Sequence, residues 1–324
     1  MQTIPIGCDV SKGKIDLCIW LDDGKQEYLL IGNNQKGYLK ALTEIERLNI
    51  KPHICMEATG IYYEGFADFM AEKGHLVSVV NPLKIKKFAE SEFQKTKTDK
   101  QDARLIACYC LKMQPKADYV KPDPEQYAVR RNIALLKQLN ADLNGIKNRI
   151  KVAKDEFVRQ ILSSQQREIK KHIKEVRQHL AKITEQTAAG QVAEKLEGIP
   201  AIGQTTALIL AHYLNMYRFD SENKFVAFAG LAPGKHESGS SVRRPDKLTK
   251  YGNRTIKGAL YMPAMVAYRF GYFGAFVNRL RNKGKPPKVI LIAIMRKLAA
   301  IAWNLWKNGQ TFDPARYGLN SKTA

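Results

Sequence analysis

Short apolar runs separated by polar turns dominate the first third of the chain. Residues 5–10 (Pro-Ile-Gly-Cys-Asp-Val) and 15–20 (Ile-Asp-Leu-Cys-Ile-Trp) read as strands, as does 27–31, and 22–25 (Asp-Asp-Gly-Lys) is a turn signal between two of them. From about 35 to 48 the apolar spacing becomes helical, at Tyr38, Leu42 and Ile45. Short strand-like runs return at 53–56 and 76–80, with a helix carrying Phe66, Phe69 and Met70 between them. A hairpin followed by strands alternating with helices predicts a mixed sheet covered by helices, an α/β domain over 1–122.

Strand signal then stops. After the breaker at 121–124 (Lys-Pro-Asp-Pro), Leu136, Leu139, Leu143, Ile146 and Ile150 step by 3, 4, 3 and 4 residues. Ile169, Ile173, Val176, Leu180 and Ile183 step by 4, 3, 4 and 3. Both are heptad seams, and the polar stretch 163–166 (Ser-Ser-Gln-Gln) lies between them. They predict two long helices in a coiled-coil connector over 123–195, and leave open whether these pair within one chain or between two. From 196 to 324 the pattern is helical, with a Gly/Ser-rich loop at 234–241. Its last long helix starts near Pro287 and carries a core stripe through Val289, Ile290, Ile292, Met295, Leu298, Ile301 and Trp303. The fold class is α/β plus all-α.

Charge changes the picture. Among 324 residues, 53 are Lys or Arg and 31 Asp or Glu, a formal net charge of +22. Solubility needs far less. A polyanionic partner accounts for it, because cations set beside phosphates release condensed counterions. A basic membrane-surface protein is the competing class, but no amphipathic helix with a clean apolar face supports it. The start lacks a basic region followed by an apolar run, and no stretch reads as a membrane span, so no membrane partner is expected. The five cysteines, Cys8, Cys18, Cys55, Cys108 and Cys110, lack metal-ligand spacing and read as buried thiols of a reducing cytoplasm.

Four carboxylates stand out. Asp9 and Glu57 each follow an apolar strand, where an ionised acid is costly unless something compensates it. Asp99 and Asp102 lie three apart in a segment that Thr98 and Gln101 mark as a helix start with a capping box. That spacing puts both on one helix face. All-oxygen ligands converging from two strand ends and a helix suit Mg²⁺ or Mn²⁺. A pair of such ions brackets a phosphodiester. Taken singly, each acid is an ordinary turn or cap residue. Asp16 and Glu64 are nearby acids that carry no such signal.

The runs 6–12 (Ile-Gly-Cys-Asp-Val-Ser-Lys), 56–60 (Met-Glu-Ala-Thr-Gly), 81–82 (Asn-Pro) and 97–103 (Lys-Thr-Asp-Lys-Gln-Asp-Ala) resemble the amino-terminal domain of the insertion-sequence 110 transposase family, related to the Piv-type DNA invertases. The resemblance covers nearly the whole chain. It implies a RuvC-like, ribonuclease-H-like domain whose metal-binding Asp, Glu, Asp, Asp set falls on Asp9, Glu57, Asp99 and Asp102. Residues 228–243 resemble the family's carboxy-terminal transposase domain. There the Ser-Gly pair carries a nucleophile, which falls on Ser238 and implies a phosphoserine link to DNA. It also implies donor and target DNA as partners and a structured bridge RNA as guide. Arg244 stands where relatives carry glycine.

Downstream, Arg243, Lys250, Asn253 and Arg254 belong to a basic run suited to phosphates. Upstream, residues 196–206 resemble a helix-hairpin-helix bounded by Gly198 and Gly203, whose exposed N–H groups suit a phosphate; a plain helix connection capped by glycines reads equally well. The expected protein is a cytoplasmic, nucleoid-associated DNA recombinase, a dimer to tetramer. A metal-dependent hydrolytic nuclease or Holliday-junction resolvase would need the four acids but not Ser238. A non-catalytic nucleic-acid scaffold would need neither.

Overall fold

Alternate residues of β1 (Ile4–Val10) point to opposite faces, and that parity organises the first unit. Ile4, Ile6, Cys8 and Val10 share one face; Gly7 and Asp9 share the other. In this computed structural model, β1 pairs antiparallel with β2 (Lys14–Trp20), and β2 antiparallel with β3 (Gln26–Gly32). After helix α1 (Gln35–Arg47), β4 (Pro52–Glu57) runs parallel to β1 on its other edge. Helix α2 (Glu64–Glu72) leads to β5 (Leu76–Val80), parallel to β4. The mixed sheet has the order β3-β2-β1-β4-β5, compatible with a ribonuclease-H-like arrangement. The described residues are 3–21, 23–58, 60–93, 98–185, 187–238, 242–248 and 251–317.

Both faces of the sheet are covered. Tyr38, Ala41 and Ile45 of α1 and Phe66, Ala67 and Met70 of α2 pack on Ile6, Ile15, Leu17, Ile54 and Met56. On the other face lie α3 (Pro82–Ser91) and α4 (Asp99–Met113), where Ile85, Phe88, Ile106, Tyr109 and Cys110 meet Cys55 and Val80. Ala103 and Ala107 of α4 pack beside Cys18. The four cysteines at 8, 18, 55 and 110 are buried free thiols; Cys108 is half-buried.

Gly7 sets how close α4 comes. A Cβ at this position would stand 2.2 Å from the carbonyl oxygen of Ala103 and 2.2 Å from the amide nitrogen of Ala107. Only a residue without a side chain lets the helix backbone lie on the strand there. Thr98 caps α4 as expected, its hydroxyl accepting from the amide of Gln101 at 3.3 Å. The expected reciprocal half of the capping box is not formed: Gln101 Oε1 is buried without a hydrogen-bond partner.

The chain divides at Pro122 into two compact units. In the second, α5 (Pro124–Val152) and α6 (Glu156–Thr184) run as an antiparallel pair. The two heptad rows line their contact, with Leu136, Leu143, Ile173 and Leu180 buried and Leu139, Ile169, Val176 and Ile183 packed beside them. The polar stretch 163–166, expected between the helices, lies inside α6. The break comes at 153–155, where Asp155 Oδ1 accepts from the amide of Val158. A cap starts a helix, whereas polar residues on a solvated face do not end one.

The pair shares its core with α7 (Ala188–Glu197), α8 (Gln204–Met216), α9 (Glu222–Phe228), α10 (Arg254–Arg269), α11 (Gly274–Asn282) and α12 (Pro287–Asn308). α12 is long and apolar enough to cross a membrane by composition, with mean hydropathy 1.6, yet Ile290, Ile294, Leu298, Ile301 and Trp303 bury into this core. Pro263 lies inside α10 and offers no amide to the carbonyl of Ala259; the hydroxyl of Thr206 on α8 donates to it instead, at 3.3 Å. Between α9 and α10, where a Gly/Ser-rich loop was expected from 234, β6 (Pro233–Ser238) and β7 (Val242–Leu248) form an antiparallel hairpin. Neither strand alternates apolar and polar residues, so nothing in their pattern signals a sheet.

Two glycines give opposite expectations. Gly7→Ala should lower unfolding stability by about 2 kcal/mol, as overpacking against backbone does. Gly145→Ala, in the middle of α5 with open space around it, should raise it by about 0.5–1 kcal/mol through helix propensity. Urea unfolding of both variants measures the pair, and a Gly7→Ala protein as stable as the parent would contradict the close approach.

Candidate active site

The pleat brings three acids to one face at one end of the sheet. Asp9, on β1, lies on the α4 face two residues after Gly7. Asp16 of β2 stands directly opposite Asp9 in the antiparallel register. Glu57 ends β4 one residue after Met56, which pairs with Cys8, so the parallel ladder leads Glu57 alongside Asp9. Asp99 and Asp102 occupy the first turn of α4, whose body Gly7 draws against β1.

The electrostatics report the convergence. Asp9 is half-buried, and its carboxyl is raised from the usual 3.8 to about 6. Burial is the largest cause, followed by the negative charges of Asp102, Asp99, Asp16 and Glu57. The other three acids singled out in the sequence, Glu57, Asp99 and Asp102, therefore each act on Asp9, and Asp16 joins them. The ammonium of Lys14, two residues from Asp16 along β2, answers part of this charge. It donates to Asp99 at 2.6 Å and lies 3.1 Å from Asp16. Its own proton is held more tightly as a result, first by Asp99 and then by Asp16.

Asp16 and Lys14 were not legible as site residues. The signal for Asp16 is the tight connection between β1 and β2. The amide of Ser11 bonds the carbonyl of Lys14 at 2.9 Å, which fixes the register that sets Asp16 against Asp9. Lys14 is a single basic residue at a strand start and has no signature of its own. Glu64, also passed over, is a buried acid in the first turn of α2.

A divalent cation fits the chemistry of this face. The donors are carboxylate oxygens, and their mutual repulsion is what a cation relieves. Among the described residues, no three of His, Cys, Asp and Glu stand at metal-ligand separations. The acids converge without closing to a ligand cage, and Lys14 holds Asp99.

The remaining sequence candidates lie in the second unit. Ser238 is the last residue of β6, paired with Val242, and Arg243 follows on β7, paired with Glu237. The base of this hairpin is pinched: Gly252, at φ +119°, would bring a Cβ to 2.3 Å from the Cα of Gly230. The amide of Asn253 bonds the carbonyl of Phe228 at 2.6 Å. Asn253 caps α10, its Oδ1 accepting from the amides of Thr255 and Ile256, and Arg254 begins that helix, exposed. Gly198 closes α7 and Gly203 caps the start of α8. Lys250, and the loop serines Ser240 and Ser241, lie outside the described residues.

Known proteins resemble the chain over both units. Residues 6–153 match a DEDD-type IS110 transposase family, and residues 193–278 match the family described as transposase IS116/IS110/IS902. The pilin gene-inverting proteins of Moraxella lacunata and Moraxella bovis are each 33% identical over 325 aligned residues, covering 97% of this chain and 98% of the relative. A putative transposase of Sinorhizobium fredii is 28% identical over 189 residues, covering 56% of this chain and 46% of the relative.

The raised Asp9 carboxyl has a stability consequence. The folded chain holds this proton more tightly than the unfolded chain, so between about pH 4 and 6 it binds the extra proton. Its contribution to stability falls as pH rises through that window and stays lower above it. Asp9→Asn removes the slope. In metal-free buffer the variant should be more stable than the parent at pH 7, and the difference should shrink towards pH 4. Parallel thermal melts across this range measure it; a variant less stable than the parent at pH 7 would contradict the crowding of acids.

Proposed function

The chain belongs to the insertion-sequence 110 family of DNA transposases and recombinases, and from that premise we propose that it cuts and rejoins DNA through a covalent serine–phosphate intermediate. The observation that carries this reading is the acidic face. Four carboxylates are gathered round the half-buried Asp9, and burial with their charge makes its carboxyl harder to ionise, a strain that a bound cation would relieve. Asp9, Glu57, Asp99 and Asp102 would hold Mg²⁺ or Mn²⁺. When bound, such an ion neutralises charge developing on the phosphodiester and favours ionisation of an attacking hydroxyl.

Ser238 supplies the nucleophile in this reading. Its Oγ forms a bond to phosphorus, one bridging P–O bond to a deoxyribose breaks, and the departing oxygen takes up a proton. Religation reverses the step: a hydroxyl from the partner strand attacks the phosphoserine, and Ser238 leaves with its proton restored. A serine hydroxyl is a poor nucleophile at neutral pH, so it needs the carboxylate face, from its own or a second subunit. Arg243, Lys250 and Arg254 follow in sequence and would steady phosphates. The helix junction at Gly198 and Gly203 offers a further backbone contact.

Three further parts complete the proposal. The net charge of +22 suits a guide RNA in addition to donor and target DNA. Strand exchange between two duplexes needs several active sites, hence a dimer or tetramer. The far end of the α5–α6 pair, read as the coiled-coil connector within 123–195, presents Val152 and Phe157 at 76% and 71% exposure, an apolar tip suited to a second copy. The place of action is the cytoplasm, at the nucleoid.

Ser238→Ala should abolish covalent protein–DNA adducts and recombination while leaving nucleic-acid binding within about twofold, because only the atom that bonds phosphorus is removed. Asp102→Ala should also abolish adducts. Denaturing electrophoresis of protein with labelled DNA and Mg²⁺ reads both. DNA cut without an adduct, and still cut by Ser238→Ala, would instead favour the hydrolytic nuclease.

A further inference from the structure

The last three helices carry charge of one sign only. Residues 254–308, which span α10, α11 and α12, contain eleven Lys and Arg and no Asp or Glu. The exposed cations follow one another where the helices join: Arg269 at the end of α10, Arg279 and Arg281 on α11, Lys283 and Lys285 in the turn, and Lys288 at the start of α12. Contacts tie them into one body. Arg281 lies over the ring of Tyr268 at 5.1 Å and donates to its hydroxyl at 3.1 Å, which fixes the end of α11 against the end of α10. Lys297 of α12 sits over Phe273 and Phe276, at 5.4 and 5.2 Å.

Large flat side chains are exposed among these charges. Arg254, Gly258, Tyr261, Met262, Met265 and Arg269 recur at helical spacing on the outer face of α10, and Phe270 caps that face with 63% of its surface open. Tyr261 is exposed by 49%. The guanidinium of Arg269 lies 5.9 Å from the Phe270 ring. Nine residues separate the two rings, about 13 Å along the helix. A surface that only neutralised phosphates would need no exposed rings, and one that only joined protein copies would place carboxylates somewhere among its cations. Rings set in an all-cationic field match a strand whose phosphates are anionic and whose bases are unpaired.

We propose that the outer surface of α10 and α11 binds a single polynucleotide strand, with unpaired bases stacked on Phe270 and Tyr261 and the backbone held by Arg269, Arg279, Lys283 and Lys285. This site uses none of the acids, nor Ser238, and stands apart from the strand-cutting chemistry proposed above. Duplex ends opened during recombination and looped regions of a structured RNA present the same chemistry.

The test uses the full chain and fluorescent oligonucleotides of about 15 nucleotides, within the span of known single-strand sites. The probes are a uridine RNA strand, a thymidine DNA strand and a mixed-sequence duplex. The double variant Phe270→Ala, Tyr261→Ala should lose about thirtyfold or more in affinity for a single strand, the loss of two stacked bases, and stay within twofold on the duplex. Phe270→Trp with Tyr261→Phe should restore single-strand binding. Whichever strand the parent binds more tightly identifies the source. Lys283→Gln with Lys285→Gln should flatten the salt dependence of strand binding by roughly 0.7 per charge removed.

Both rings are exposed, so melting temperature should not move. An equal loss on duplex and strand, or unchanged strand affinity, would overturn the proposal. So would a double variant that becomes monomeric where the parent is oligomeric, which would make the face a contact between copies. Asp9→Asn serves as the reference. It should bind strands as the parent does even if it cuts no DNA, which separates failure of this site from failure of the recombinase reading.

Discussion

Helix α4 lies on β1 at a separation that only the missing side chain of Gly7 allows, with the Ala103 carbonyl and Ala107 amide where a Cβ would stand. That contact positions the rest of the first unit's chemistry. With the helix this close, its first turn delivers Asp99 and Asp102 to the sheet end where the pleat has already turned Asp9, Asp16 and Glu57 to the same face. The fold thus concentrates negative charge in a half-buried place, and Asp9 takes the consequence as a carboxyl raised to about 6. Lys14 offsets part of the repulsion through Asp99 and Asp16. Close packing and charge crowding are one device here: loosening the first would relax the second.

The second unit solves a different problem. The sequence of its hairpin strands does not alternate apolar and polar residues, and backbone contacts fix the base. Gly230 and Gly252 approach within backbone contact, and Asn253 both bonds Phe228 and caps α10. Ser238 stands at the far end of β6 from that anchor. The helices α5 through α12 share one large core. The adjoining helices keep their cations on the outside, where a polyanion can reach them.

Periodicity made the sheet and the long helices legible, because burial imposes it: strands 1 to 5 and the stripe of α12 lie where alternation and helical spacing place them, with Val289 alone of that stripe exposed. A capping residue marked the start of α4, and the breaker at 121–124 stands where α5 begins. The α5–α6 break was misplaced because a polar stretch was read as a link, whereas Asp155 makes the new start. The hairpin escaped notice since its strands are held by backbone pairing and glycine contact, which leave no hydrophobic pattern. In the site, the four acids carried by motif were legible. Asp16 and Lys14 were not, since their roles come from strand register and from a contact 85 residues away in the chain.

The claim that the acidic face is built for a cation has a direct measurement. Metal binding to a half-buried acid must expel whatever proton it holds. With Asp9 raised to about 6, titration of Mn²⁺ or Mg²⁺ at pH 6, followed by calorimetry in buffers of different ionisation enthalpy, should show saturable binding that releases about half a proton per chain. The release should vanish at pH 8 and in Asp9→Asn. Saturable binding with no proton release at pH 6, or equal release from Asp9→Asn, would contradict the account.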